Sequence, residues 1–202
     1  MFSGGTGTQA DPYLIATAED LNNVRYEVNS YFKQVADIDL SEYENWEPIE
    51  GDVNYFRGSY DGQNYKIINM NIDVTHDDVR NVGLFSRLDF AGDIVNGHGI
   101  RNCNIYGNIK AIYNAESPSS SEPSCYGGLT GTAVTYNRYD SEISNCHSYV
   151  NIDINGKSII GGLIGRCITT RYDSEVYTLN NCSSEGEIVV NLTDPLAGFR
   201  TA

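Results

Sequence analysis

Along much of the chain, apolar residues alternate with polar ones over short runs. Val150-Asn-Ile152-Asp-Ile154 is one such run and Ile105-Tyr-Gly-Asn-Ile109 is another. A period of two sends successive side chains to opposite faces, so each run predicts a half-buried β-strand. The runs are rich in Ile, Val and Tyr and are bounded by Gly and Asn, which is strand composition closed by turn chemistry. One segment departs from this. Beginning at Thr17, the sequence TAEDLNNVRYEV puts Leu21, Val24 and Val28 on one helical face, behind a Thr N-cap and with acids in the first turn. A single amphipathic helix ahead of many strands reads as an end cap over the first strand edges.

The strands recur at fixed spacing. Ile100-Arg-Asn-Cys103, Ile143-Ser-Asn-Cys146 and Leu179-Asn-Asn-Cys182 share the form aliphatic-x-Asn-Cys, and each Cys is followed six positions later by Ile109, Ile152 or Ile188. Upstream of them stand Val82-Gly-Leu-Phe, Tyr126-Gly-Gly-Leu-Thr-Gly131 and Ile160-Gly-Gly-Leu-Ile-Gly165, whose Leu precedes the Cys by 19, 17 and 19 residues. Ile67-Ile68-Asn69-Met70 reads as an earlier copy with Met in the place of Cys. Repeats of a few tens of residues built from strands and turn glycines predict a solenoid. The expected fold is therefore all-β: a single-domain parallel β-solenoid, β-helix-like, with a short N-terminal capping α-helix. Residues 1–202 form the domain, with the cap and first strands in 1–40, the coils in 41–202, and a Ser/Pro-rich loop inserted at 115–124. Equivalent residues then stack one per coil at about 4.8 Å. Cys103, Cys146 and Cys182 become an interior ladder with Met70 at its base, packing as small buried hydrophobes. Asn102, Asn145 and Asn181 become a ladder at a bend, their amides satisfying turn backbone groups. Cys125 and Cys167 align neither with each other nor with that ladder.

The ordered set of motifs resembles the GLUG-motif proteins, bacterial β-solenoid segments named for a Gly-Leu-x-Gly turn. Gly128-Leu-Thr-Gly131 and Gly162-Leu-Ile-Gly165 fit the motif, and Gly83-Leu-Phe-Ser86 departs from it at the last position. The entrance Gly5-Thr-Gly-Thr-Gln-Ala-Asp-Pro-Tyr-Leu-Ile15 is similar too, as are Asp37-Ile-Asp-Leu40 and Phe56-Arg-Gly-Ser-Tyr-Asp-Gly62. Such segments occur in large secreted or surface-attached, adhesin-like bacterial chains and beside immunoglobulin-A metallopeptidases. The resemblance thus implies an extracellular or cell-surface location and brings no catalytic residues. The metallopeptidase signature HExxH is absent from the sequence.

A second solenoid family supplies the rival reading. Polygalacturonases hydrolyse with aspartates and a nearby Gly-His-Gly on a β-helix, and this chain carries His76-Asp77-Asp78 and Gly97-His98-Gly99. Inverting hydrolysis needs two carboxyl groups about 6.5–9.5 Å apart, one of them protonated. Asp78 would be the acid, Asp77 would share the base role, and His98 would tune the acid. The family's Asn-Thr-Asp and Arg-x-Lys are both missing, so the expectation is a chain that is not an enzyme.

RYDSE occurs at Arg138–Glu142 and again at Arg171–Glu175, 33 residues on and just after the Gly-Leu-x-Gly turn each time. The two copies therefore occupy the same loop on successive coils. Arg138, Tyr139, Asp140, Arg171, Tyr172 and Asp173 are the candidate binding residues, a strip of rings and charges suited to a carbohydrate or protein ligand, or to pairing between coils. Tyr136 and Tyr177 lie nearby in the sequence.

Charge narrows the partners. Lys and Arg number 13 against 27 Asp and Glu, a net charge of −14, which disfavours nucleic acid and anionic membranes. No apolar run reaches the roughly 20 residues of a membrane helix, so membrane insertion is not expected. The start, MFSGGTGTQADPYLI, lacks the basic and apolar regions of a secretory signal. A virion fibre or decoration protein would account equally for that and for the free thiols. Five cysteines without a CxxC pair argue against a metal knuckle, and no cofactor is implied. Asp37 and Asp39, and Asp61-Gly-Gln-Asn64, offer oxygens to a hard cation but match no calcium-loop pattern, so no metal is expected. Finally, little sequence follows the last repeat at Val189–Ala202 to cap the solenoid. The expectation is that the C-terminal end meets another subunit or the rest of a larger parent protein.

Overall fold

The computed structural model describes residues 1–50, 55–74, 81–90, 99–112, 123–136, 142–156, 158–170 and 178–191. In chain order the early turns contribute β1 (Tyr13–Ile15), α1 (Ala18–Asn23), β2 (Tyr31–Gln34), β3 (Ile38–Asp39), β4 (Ser59–Asp61) and β5 (Lys66–Val74). From there each turn brings four sides: β6 (Asn81–Val82), β7 (Phe85–Asp89), β8 (Gly99–Arg101) and β9 (Asn104–Ile112), then β10 (Ser124–Tyr126), β11 (Thr130–Tyr136), β12 (Glu142–Ser144) and β13 (His147–Asn155). The last described turn holds β14 (Ser158–Ile160), β15 (Ile164–Thr170), β16 (Thr178–Asn180), β17 (Ser183–Ser184) and β18 (Ile188–Asn191). The described residues are all-β apart from α1 and the short 3-10 turn that follows it.

Four parallel sheets form the walls. Sheet A runs β1-β2-β4-β8-β12-β16, and sheet B runs β3-β5-β9-β13-β17 with β18 also on β13. Sheet C is β7-β11-β15 and sheet D is β6-β10-β14. Strands far apart in sequence are neighbours, and from β2 to β17 strands adjacent in sequence lie on different walls, which is a coil that winds. Inside, residues of matching register stack: Tyr13, Phe32, Tyr60, Ile100, Ile143 and Leu179 succeed one another along sheet A. The early interior is aromatic. Phe32, Phe56, Tyr60 and Phe85 sit with neighbouring ring centroids 4.9–6.5 Å apart, and Phe2 stacks on Tyr13 at 4.2 Å. Later coils are lined mainly by Ile, Leu, Val, Ala and Cys, with Phe90 and Tyr126 as further buried rings, so the filling shifts from rings toward aliphatics.

The buried Gln34 is fully bonded, whereas the indole N–H of Trp46 and the hydroxyl of Ser148 are buried without a partner among the described residues. Gln34 is fully buried; its Nε2 donates to the carbonyls of Ala36 and Lys66 at 2.9 and 3.0 Å, and Tyr60 Oη donates to its Oε1 at 3.2 Å. These bonds offset the cost that an unpaired buried amide would carry. The helix forms as the sequence predicts at its start. Thr17 Oγ1 accepts from the Asp20 amide, and Asp20 Oδ2 accepts from the Thr17 amide, a reciprocal capping box. It is shorter than the apolar spacing implies: α1 ends at Asn23 and Val24–Tyr26 tightens into the 3-10 turn.

The Gly-Leu-x-Gly segments form the corner between sheets D and C. A Cβ on Gly131 would lie 2.4 Å from the Val82 amide nitrogen, and one on Gly165 would lie 2.7 Å from that of Tyr126, each in the coil beneath. The motif's last glycine is thus demanded by close backbone approach. In register with Gly131 stands Ser86, because Thr130 pairs Phe85 and Thr132 pairs Arg87. Among the described residues sheet D begins with β6, so no strand of that sheet lies below Ser86 to demand a glycine there.

The corner between sheets A and B carries the Asn ladder. Asn102, Asn145 and Asn181 adopt φ of 57°, 50° and 49°, the left-handed conformation that Asn tolerates better than most side-chain-bearing residues. Their side chains bond one another rather than the turn backbone: Asn181 Nδ2 donates to Asn145 Oδ1 at 2.7 Å and Asn145 Nδ2 to Asn102 Oδ1 at 3.1 Å. The thiols next to them stack inside. Cys103 and Cys146 are fully buried, and Cys182 is partly exposed on the last described coil. Met70 is not the base of that stack, contrary to the sequence alignment. Asp61 pairs Arg101 and Lys66 pairs Asn104, so four residues, 62–65, fill the corner that Asn102 and Cys103 fill one coil later. Met70 instead lies opposite Gly107.

The last described coil presents its interior. Leu179, Ile188 and Val190 pair in register with the buried Ile143, Ile152 and Ile154, yet they are 49%, 46% and 45% exposed. Cys167, in register with the buried Ala133, is exposed as well.

Candidate functional site

The outer face of sheet B carries the most distinctive surface among the described residues. β9 and β13 pair without a shift over nine positions, from Asn104 opposite His147 to Ile112 opposite Asn155. The period of two sends Ile105, Ile109, Val150, Ile152 and Ile154 inward and leaves Tyr106, Asn108, Tyr149 and Asn151 outward. Tyr106 and Tyr149 therefore stack, with ring centroids 4.5 Å apart and planes 9° from parallel. Beside them Asn151 Nδ2 donates to Asn108 Oδ1 at 3.2 Å, while Asn151 Oδ1 accepts from the Glu187 amide at 3.0 Å.

Under Tyr106 the ladder breaks. Between Ile67, which pairs Ile105, and Met70, which pairs Gly107, β5 has two residues where β9 has one. This is a β-bulge, and Asn69 takes its left-handed position at φ 60°. Its Nδ2 donates to Asp39 Oδ1 at 2.8 Å. The bulge leaves no third ring below Tyr106. A shallow depression of about 500 Å³ opens there instead, lined by Lys66, Ile68, Asn69, Tyr106, Asn108 and Tyr149 among others. Lys66 Nζ lies over the Tyr106 ring, 5.8 Å from its centroid. Gly107 completes the fit, since a Cβ there would come within 2.0 Å of the Met70 carbonyl oxygen.

None of these residues was singled out as a site from the sequence, although the repeat held a signal. Tyr106 and Tyr149 each fall three positions after a ladder cysteine, and the third copy has Glu185 in that place. The binding residues expected from the sequence, Arg138, Tyr139, Asp140, Arg171, Tyr172 and Asp173, lie outside the described residues, as do Tyr177 and the segment after Asn191. The same holds for His76, Asp77, Asp78, Gly97 and His98. Gly99 is described; it is a buried strand residue of β8 opposite Glu142.

The acids weighed as cation ligands are acceptors at corners. Asp37 Oδ1 accepts from the Lys66 amide at 2.8 Å. Asp39 Oδ1 accepts from Asn69 Nδ2 and the Ser41 amide, bonds that hold its carboxyl below the ordinary value. Asp61 takes Arg101 Nε at 2.8 Å on Oδ2, and Asn102 Nδ2 at 2.9 Å and the Gln63 amide at 3.0 Å on Oδ1. Burial acts to raise the Asp61 carboxyl, and the donors Asn102, Gln63 and Arg101 outweigh it and leave it lowered. Among the described residues no three His, Cys, Asp or Glu side chains gather as a metal cage. A second depression, of about 330 Å³ on sheet A, is bounded by Tyr31, Lys33, Gln63 and the Asp61–Arg101 ion pair.

The thiol stack is chemically quiet. Hydrogen bonding to Cys103 and then burial push the Cys146 thiol far up, and hydrogen bonding to Cys146 and then burial do the same for Cys182. A protonated, buried thiol is neither a nucleophile nor a ready metal ligand.

Known protein families give no match to this chain. Two curated proteins are similar to it. One is described as a "Putative Gly-rich membrane protein" of Evansella cellulosilytica, 34% identical over 199 residues that take in 82% of this chain and 21% of that protein. The other is Halomucin of Haloquadratum walsbyi, 28% identical over 183 residues, 80% of this chain and 2% of that protein. The chain thus spans about a fifth of one relative's length and a far smaller part of the other's. Among solved structures, one titled as a "putative immunoglobulin A1 protease" from Bacteroides ovatus superposes with a TM-score of 0.49 at 19% identity, over 98% of this chain and 82% of that one. No helix among the described residues is long and apolar enough to cross a membrane.

Proposed function

We propose that the chain is a non-catalytic structural and adhesive module of a cell surface, which stacks with further β-structure through its last described coil and displays its outer faces. One observation carries the reading: Leu179, Ile188 and Val190 stand in interior register and are nearly half exposed. Inward apolar residues left bare at a strand edge favour cover by another coil. A second copy, or another part of a larger parent protein, would supply it. The similarity to a Gly-rich membrane protein and to Halomucin supports a surface setting. So does the GLUG resemblance, whose Gly-Leu-x-Gly corners have a steric basis here. In this reading α1 covers the opposite end and residues 1–202 act as one domain without cofactor or metal.

Light scattering across a range of protein concentrations tests it. A mass that rises with concentration, and falls back when Leu179 and Ile188 are both changed to Asp, is the expected result. A constant monomer mass at every concentration overturns stacking between copies, and release of reducing ends from a polysaccharide overturns the non-catalytic reading.

A further inference from the structure

We infer that the depression beneath Tyr106 is a carbohydrate subsite that takes one hexopyranose unit of a neutral polysaccharide. The inference rests on the reading of the module as one that displays its outer faces, and names what one of those faces binds.

The geometry sets the chemistry. A pyranose offers an apolar C–H face and a rim of hydroxyls, so its site needs a flat ring and polar groups spaced around it. Tyr149 covers one face of Tyr106 at 4.5 Å and holds the ring in place, while the bulge keeps the other face from being covered by a third ring. Around that open face two side-chain polar atoms have no protein hydrogen-bond partner among the described residues. They are Asn108 Nδ2, whose Oδ1 alone is engaged, and Asn69 Oδ1, whose Nδ2 alone is engaged. Lys66 Nζ makes no ion pair among the described residues and sits over the ring. A donor, an acceptor and an ammonium thus border one depression whose floor includes the backbone of Gly107.

Asn108 is set apart from the other outward amides on this side. Asn69, Asn71 and Asn104 each spend their Nδ2 within the coil, on Asp39 at 2.8 Å, the Glu44 carbonyl at 2.8 Å and the Asn64 carbonyl at 3.0 Å. Asn108 is engaged at Oδ1 instead, by Asn151, and keeps its Nδ2 as a donor at the depression. Neutral sugar is favoured over acidic polymer because the chain carries a net charge of −14, and an anionic polymer would meet that field for the sake of one lysine.

The test is affinity electrophoresis of the full chain in native gels containing hydroxyethyl cellulose, guar galactomannan or soluble starch, with sodium alginate as the acidic comparison. The expected result is retardation by at least one neutral polymer, weakened about tenfold in Tyr106→Ala through loss of the ring contact. Tyr106→Phe keeps the ring and retains binding. Asn108→Ala, an exposed change that leaves the stack intact, lowers binding and covers the case in which Tyr106→Ala misfolds. No retardation by any neutral polymer overturns the proposal, as does retardation by alginate alone or equal retardation of wild type, Tyr106→Ala and Asn108→Ala. A concentration-dependent mass that Tyr106→Ala abolishes would instead assign the depression to a second copy of the chain. Wild-type mass that grows through the last coil, with no retardation in any gel, removes this subsite and leaves the structural reading standing.

Discussion

The side-chain amide of Asn102 donates to Asp61 Oδ1 at 2.9 Å, and this bond ends a chain of amides that crosses three coils. Asn181 donates to Asn145, Asn145 to Asn102, and Asn102 to a carboxylate that also pairs with Arg101. Every bond points the same way, so each amide polarises the next toward the negative charge. Left-handed backbone at each Asn keeps the side chains aligned along the corner.

Asp61 is therefore expected to tie stability to acid. Its folded carboxyl titrates below the ordinary value, so its contribution is full above the unfolded value of about 4 and is lost as pH falls through the lowered folded value. Urea denaturation at pH 7 should show Asp61→Asn less stable by about 2 kcal/mol, the size of a charged hydrogen bond. Repeated in acid, toward pH 2, the gap should shrink; a gap independent of pH would refute the assignment.

At Asn145 two costs can be separated. Asn145→Ala loses the amide bonds and leaves in left-handed backbone a side chain without the polar group that lets Asn tolerate it, for a total of about 2 kcal/mol. Asn145→Gly keeps the backbone relaxed and should cost about 1 kcal/mol. Equal urea midpoints for the two variants would mean that the left-handed turn contributes nothing.

The glycine corner makes an asymmetric pair. Gly131→Ser forces a side chain against the Val82 and Asn81 backbone and should destabilise by about 3 kcal/mol or more. Ser86→Gly, at the same register one coil earlier, should move the thermal midpoint little. A comparable loss in both would show that the coil beneath is not what selects glycine.

Thiol labelling should follow the position of each cysteine in the coil. Cys167 is exposed on the last described coil and should react first with a disulfide reagent at pH 8. Cys146, buried and held protonated by its neighbours, should react only on unfolding. Mass spectrometry of partly labelled protein reads the order, and early loss of Cys146 would contradict the stack.

Strand positions and the thiol ladder were legible because a period of two and a repeated aliphatic-x-Asn-Cys unit each have one structural meaning here. The register of the earliest copy was not. Asn69-Met70 looks like Asn102-Cys103 in letters, but the corner before β5 holds two more residues than the next coil's, and the bulge beyond Ile67 adds a third. Local sequence cannot reveal where a coil stores an extra residue, because that depends on what the neighbouring coil offers. The Tyr106 depression was hidden for the same reason. It exists only because β5 and β9 disagree in length at one point, a property of the pair rather than of either strand.

The change of cross-section at β6 has a consequence for how such a chain can lengthen. A copied turn must meet equal walls above and below, and β10 through β13 satisfy that on all four sheets. A turn copied from β2 and β3 would offer sheet D no strand and would set aromatic filling against a more aliphatic interior. A turn added by duplication would therefore find matching walls on all four sides beyond β6, whereas among the described residues the first turns offer no such match on sheet D.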